Sequence, residues 1–264
     1  MTIDLAREFF ALPAADKERI HIRRSQHYRG YSEMKNARDW REQIHFGLER
    51  EAGVHPLRGP NLWPEELGAD WRARVLSFLD EAGRTGQRML AGLGLPVAAS
   101  DAEPHLLMKM ICYHPQPDAG RLRPGVAAHC DWSWITLLYQ DDAGGLQEQR
   151  EDAAWEDVTA PFSVTIGELA EIATGGRLRA TPHRVVNRSA ARARISIPVF
   201  ICPPLDLVVP GTSHCFEEHL GHVHRVRNPA GVWPDRRFGD SEWTRKGLGQ
   251  WCWNGECLGG ERLG

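Results

Sequence analysis

His129 and Asp131 stand two residues apart in a stretch, A-A-H-C-D-W-S-W-I-T-L-L-Y-Q, that turns apolar and β-prone within a few residues. Residues two apart on an extended chain point to the same face, so this spacing brings an imidazole and a carboxylate together. A further histidine, His183, follows Thr181-Pro182, and the proline favours an extended approach to it. Two histidines and one carboxylate that leave other coordination positions open suit Fe(II) in a non-haem facial triad. Beyond them, R-I-S-I-P-V-F over 194–200 places Arg194 and Ser196 on one face of a strand that reads as buried. A guanidinium on a buried face requires an anion, because its charge is costly to desolvate alone. Its planar fork matches a carboxylate, and the serine hydroxyl adds a donor. An H-x-D pair by itself occurs in many solvated loops. The ordered set of pair, distant histidine and arginine-serine pair is far more specific.

These side chains need a β-rich frame. From Pro104 to Pro210 the sequence breaks into short apolar runs divided by Gly, Pro and Asp turns. Strands are expected over 105–113, 126–131, 134–140, 145–149, 155–158, 163–166, 184–188 and 194–202, with a short helix over 167–173. That number and spacing predict a mainly β protein with flanking helices and a two-sheet jelly-roll core, whose concave interior would house the metal. Upstream, residues 3–22 read as helical with an interruption near Pro13, and 40–48 as a strand. Residues 54–68, with Pro56, Pro60 and Pro64, read as an extended connection. Trp71, Val75, Phe78, Leu79, Ala82, Met89, Leu90 and Leu93 recur at helical spacing over 69–93, with Gly83 and Gly86 as weak points.

The 264 residues fit one domain with extensions, and 42% hydrophobic content supplies a core. A formal net charge of −3 gives no case for nucleic acid or an anionic membrane surface. No apolar run approaches a membrane span, and the first residues, M-T-I-D-L-A-R-E-F-F, lack a signal-peptide pattern. The six cysteines are scattered rather than dense, which predicts a reduced, cytoplasmic protein. A monomer is expected.

The chain resembles the iron- and 2-oxoglutarate-dependent dioxygenase superfamily, in the isopenicillin N synthase-like branch that also includes anthocyanidin synthase. The resemblance rests on L-L-M-K-M-I-C-Y-H-P-Q-P (106–117), G-V-A-A-H-C-D-W-S-W-I-T-L-L (125–138), G-G-L-Q (144–147), I-G-E-L-A-E-I-A-T-G-G-R (166–177) and T-P-H-R-V-V-N (181–187). It implies a double-stranded β-helix with His129, Asp131 and His183 as Fe(II) ligands. It also implies that Arg194 and Ser196 hold the distal carboxylate of 2-oxoglutarate and that Tyr113 contacts a nearer part. O2 would oxidatively decarboxylate 2-oxoglutarate to succinate and CO2, with hydroxylation or desaturation of a small molecule, in keeping with secondary metabolism. Lys109, Tyr28 (in H-Y-R-G-Y) and Phe200 are the expected substrate contacts. Cys130 stands where threonine is common, and alternation would turn it away from the metal. Glu168 replaces a usual aspartate and is expected to be structural, and Ile111 replaces an asparagine frequent in plant members. Met1 falls close to the family's F-F-x-L-P segment, here from Phe9, so a naturally trimmed start or a start codon placed too far downstream is expected.

Three regions follow from this reading. Residues 1–103 form a helical and extended N-terminal region, 104–210 the jelly-roll oxygenase core, and 211–264 an extension rich in Trp and His that either caps the pocket or packs outside it. Two other readings stay open. One is an isopenicillin N synthase-like oxidase that does not use 2-oxoglutarate. The other is a non-catalytic binding protein on the same fold. The substrate itself is not legible in the sequence.

Overall fold

The computed structural model describes residues 2–36, 38–52, 55, 57–95, 103–116, 124–187, 192–227, 252–253 and 256–257. Proline at 13 divides the opening helical segment into α1 (Thr2–Phe10) and α2 (Ala14–Arg19). A tight turn, with Tyr28 at φ 59° and Gly30 at φ 116°, then leads into β1 (Gly30–Lys35). No strand is expected over these residues from the sequence alone. β2 (Trp40–Gly47) pairs with it, and α3 (Gly68–Gly92) follows as one unbroken helix. The two glycines expected to weaken α3 have a packing role instead. A Cβ on Gly83 would lie 2.7 Å from Leu106 Cδ1, and one on Gly86 2.5 Å from Ile201 Cγ1. Their bare backbone lets the helix press onto the sheet, which outweighs a propensity cost of about 1 kcal/mol each.

The remaining strands are β3 (His105–Tyr113), β4 (Val126–His129), β5 (Ile135–Gln140), β6 (Leu146–Gln149), β7 (Trp155–Asp157), β8 (Phe162–Ile166), β9 (His183–Val185) and β10 (Arg194–Cys202). α4 (Glu168–Ala173) lies between β8 and β9, α5 (Phe216–Arg227) follows β10, and a two-stranded pair, β11 (Cys252–Trp253) and β12 (Glu256–Cys257), comes last. The protein is mainly β, with two antiparallel sheets. The larger runs β1-β2-β3-β10-β5-β8 and the smaller β4-β9-β6-β7. The N-terminal strands thus extend the same sheet that carries Arg194. Among the described residues, no helix is long and apolar enough to cross a membrane. The expected capping role of the C-terminal tryptophans lies outside the described residues.

Alternation sorts the large sheet into two faces. Met108, Met110, Ile195, Ile197, Val199 and Ile201 pack with Leu5 and Phe9 of α1 and with Trp71, Val75, Leu79 and Leu90 of α3 in the main core. Burial of each such side chain contributes about 1.5–3 kcal/mol. Ile111 and Tyr113 point the other way and pack with Val126, Leu146 and Val185 of the small sheet. This second, smaller cluster joins the two sheets across an interior lined by β3, β10, β4, β6 and β9.

Candidate metal centre and carboxylate anchor

β4 ends at His129, so Asp131 is presented from the turn that enters β5. The strand expected over 126–131 is therefore too long, and the two side chains converge by a different route. The pairing of β4 with β9 shifts register between Val126 and His129. The Asp131 carbonyl accepts a hydrogen bond from the Glu168 backbone N at 2.7 Å, drawing the chain off the ladder to the start of α4.

The three expected ligand side chains converge. Asp131 Oδ1 lies 3.6 Å from His129 Nε2 and 3.8 Å from His183 Nε2. His129 and His183 are cross-strand partners, with ring centroids 4.4 Å apart. Donors each about 2.1 Å from one ion can lie at most about 4.2 Å apart, so both separations can be spanned by a single metal. Their remaining polar atoms are occupied elsewhere. His129 Nδ1 lies 2.9 Å from the Ala127 carbonyl and His183 Nδ1 3.0 Å from the Thr181 carbonyl. Donation from each Nδ1–H leaves the Nε2 lone pair facing Asp131. Thr136 Oγ1 donates to Asp131 Oδ2 at 2.6 Å, with Ser133 Oγ 3.0 Å behind it, so Oδ1 is the free oxygen.

The electrostatics agree with this arrangement. Burial alone would raise the Asp131 carboxyl, but the His183 and His129 imidazoles and the Thr136 hydroxyl hold it well below the usual carboxylate range. Burial, and then the neighbouring His183, push His129 down and favour its neutral form. A carboxylate and a neutral imidazole are protonation states in which these groups can bind a divalent ion. The set therefore fits a first-row metal such as iron. Cys130 Sγ is not among the converging donor atoms. The other such cluster among the described residues, Glu42 with Cys112 and His114, already holds a cation, because Lys17 Nζ lies 2.7 Å from Glu42 Oε2.

Arg194 starts β10 opposite Tyr113 of β3, and Ser196 lies between Ile111 and Gln140. Both are buried. Arg194 Nη2 donates to Gln140 Oε1 at 2.7 Å, and its guanidinium carbon lies 4.9 Å from the centroid of the Tyr113 ring. Its Nε and Nη1 have no hydrogen-bond partner among the described residues. Burial pushes the guanidinium down, opposed by nearby Tyr113 and Asp141. A buried cation with two open donors beside a serine hydroxyl is arranged for an anion.

The Gly144-Gly145 turn supports this end of the interior. Gly145 has φ 96°, and a Cβ there would lie 2.4 Å from the Val186 carbonyl oxygen. Only glycine permits that approach of β6 to β9.

The expected substrate residues separate. Lys109 and Phe200 share the interior face of the large sheet, with Lys109 Nζ 5.1 Å from the Phe200 ring centroid. Trp132, next to Asp131, stacks on Phe200 at 5.7 Å and 8°. Tyr28 stands in the turn before edge strand β1, separated from β10 by β2 and β3, and packs against the main core. Thr136 and Gln140 were not singled out in the sequence. The available signal was their spacing, two polar residues four apart on an otherwise apolar strand.

The profile of the 2OG-Fe(II) oxygenase superfamily matches residues 103–203. The profile described as the N-terminal region of the non-haem dioxygenase in morphine synthesis matches residues 1–66. Kihadalactone A synthase of Citrus sinensis is 30% identical over 244 residues, covering 80% of this chain and 71% of that one. The 2-oxoglutarate-Fe(II) type oxidoreductase hxnY of Emericella nidulans is 29% identical over 242 residues, covering 81% and 69%. The crystal structure of JOX2 in complex with 2OG, Fe and JA superposes with a TM-score of 0.62 at 24% identity, covering 80% of this chain and 66% of that one, a likeness of fold. The chain spans 71% and 69% of the length of these two curated relatives, and from 59% to 74% among eight of those it matches.

Proposed function

Because this chain belongs to the 2OG-Fe(II) oxygenase superfamily, we propose that it couples oxidative decarboxylation of 2-oxoglutarate to hydroxylation or desaturation of a small molecule. The family's enzymes are oxidoreductases that use Fe(II), 2-oxoglutarate and O2. In this reading His129, Asp131 and His183 hold the iron, and the two facing sheets are the halves of a jelly roll. The observation that carries it is the orientation of the triad. Each donor has its other polar atom tied to a carbonyl or to Thr136, so the free atoms face one another.

Bound iron would supply activation of O2 and removal of a hydrogen atom from an unactivated carbon. The protein's own groups do the rest. The Ala127 and Thr181 carbonyls fix the imidazole tautomers, and Thr136 fixes the carboxylate. Arg194 and Ser196 receive the distal carboxylate of 2-oxoglutarate, with Tyr113 beside them. Ile111, Leu146 and Val185 exclude water between the sheets. Lys109 and Phe200 are proposed to meet the substrate. Residues 104–210 then carry the chemistry, while 1–103 extend the sheet and cover its outer face. A monomer is supported by how few large apolar side chains are exposed, Val164 and Val208 among the described residues. A cytoplasmic setting is supported by the free thiols of Cys112, Cys202 and Cys215.

The test is anaerobic addition of Fe(II) and 2-oxoglutarate. A weak visible charge-transfer band is expected in the native protein and none in folded Asp131→Ala or His183→Ala. A native band in both variants would remove the triad assignment. Substrate oxidation without succinate would point to the oxidase reading, and absence of any turnover to a binding protein.

A further inference from the structure

The small sheet carries one row of side chains across all four of its strands. His129 pairs with His183, His183 with Glu148, and Glu148 with Glu156. Residues in direct cross-strand register point to the same face. Because His183 points to Asp131, Glu148 lies on the interior face as well, one strand spacing of about 4.8 Å beyond the metal ligand. Leu146, two residues before it on the same face, packs into the cluster that joins the sheets. The outer face holds a separate set in which Arg184 donates to Gln147 and stacks on Trp155. That arginine therefore turns its charge away from Glu148.

Glu148 is half-buried and, among the described residues, has neither a side-chain hydrogen bond nor an ion pair with a basic side chain. Its lateral neighbours are the His183 imidazole on one side and the like-charged, exposed Glu156 on the other, itself bridged to Arg150. A half-buried carboxylate facing the interior is partly desolvated and has acceptor positions open to a donor from a ligand. An uncharged strand residue would serve packing better. Glu148 stands beside His183, one of the three converging donors.

We propose that Glu148 is a specificity-determining residue, and that the substrate carries a positively charged nitrogen, an ammonium or guanidinium, held by its carboxylate while another carbon faces the metal. This inference rests on the oxygenase reading above. Lys109 lies on the facing sheet, with its Nζ 5.1 Å from the Phe200 ring centroid.

The experiment uses the Fe(II)- and 2-oxoglutarate-loaded protein and matched pairs of probes, arginine with citrulline and lysine with norleucine. Binding is read anaerobically by the change in the charge-transfer band and by calorimetry, and turnover by succinate formation. The cationic member of at least one pair should bind about 10- to 100-fold tighter than its neutral partner, the range of a charge-assisted hydrogen bond. In Glu148→Gln, an isosteric change, that preference should fall to about two-fold or less while the band with Fe(II) and 2-oxoglutarate alone is unchanged. Glu148→Asp should restore part of it. Equal binding within both pairs, no binding of either cation, or an undiminished preference in Glu148→Gln would overturn the proposal. Failure of the band to form in the native protein would instead overturn the oxygenase reading, so the two failures are distinct.

Discussion

Removal of the Arg194 guanidinium should separate ligand affinity from intrinsic stability. Arg194 is 5% exposed, with Nη2 on Gln140 and with Nε and Nη1 lacking partners among the described residues. If these donors receive the distal carboxylate of 2-oxoglutarate, Arg194→Ala strands that anion in a site poor in water. Truncating one partner of a buried ion pair costs on the order of 3–5 kcal/mol. At about 1.4 kcal/mol per tenfold, the Kd for 2-oxoglutarate should rise by roughly 10² to 10³ or more. The ligand-free protein should behave differently, because it loses a buried cation that was only partly satisfied. With 2-oxoglutarate at 100 times the native Kd, the native protein gains about 2.7 kcal/mol and the variant about 0.4 kcal/mol or less. For a chain of this size, about 1 kcal/mol moves Tm by 2–4 °C, so a ligand-induced rise of roughly 5–10 °C should shrink to about 1 °C. The assay is thermal melting of the Fe(II)-loaded protein across a 2-oxoglutarate titration, with succinate formation measured in parallel. Arg194→Lys should lose less, since charge survives without the fork. An unchanged half-saturation in Arg194→Ala would refute the anchor. Arg184 and Arg192 are poor substitutes, because Arg184 stacks on Trp155 and Arg192 pairs with Asp142.

Two further outcomes concern single side chains. Cys130→Thr should keep iron binding and most turnover, because the thiol lies outside the converging donors; loss of the charge-transfer band in the folded variant would mean that the sulfur takes part. Glu42 is buried and joins α2 to β1, β2 and the end of β3 through Lys17 at 2.7 Å, Tyr31 at 2.9 Å and His114 at 2.8 Å. Glu42→Gln should cost about 3–5 kcal/mol at neutral pH, because Lys17 stays buried without its counter-charge. Burial raises the Glu42 carboxyl, but His114, Lys17 and Tyr31 more than offset this and leave it below its usual value. Its contribution is therefore fully present above the unfolded value of about 4.3 and is lost as pH falls through the folded value. Urea melts between about pH 3 and pH 7 should show a smaller acid loss in the variant than in the native protein; equal slopes would exclude this account.

The grouping of His129, Asp131 and His183 and the shared face of Arg194 and Ser196 were legible in the sequence as spaced motifs, but short-range alternation accounts only for the arginine-serine pair. Arg194 and Ser196 share a face of β10 whatever β10 pairs with, and His183 enters its strand extended because Pro182 precedes it. The chain could not reveal how those faces were turned. Asp131 leaves the strand and is aimed by Thr136, and Gln140 reaches Arg194 from β5, a strand made adjacent only by sheet order. β1 is defined by its pairing with β2 rather than by a local pattern, and the Glu42 pairing links residues 25 positions apart in sequence. The strand read over 126–131 stopped early because a register shift and a hydrogen bond from α4, neither of them local, drew Asp131 aside. The row His129–His183–Glu148–Glu156 exists only once β4, β9, β6 and β7 have paired. Local spacing determines which side chains travel together; non-local hydrogen bonding between strands determines what they face.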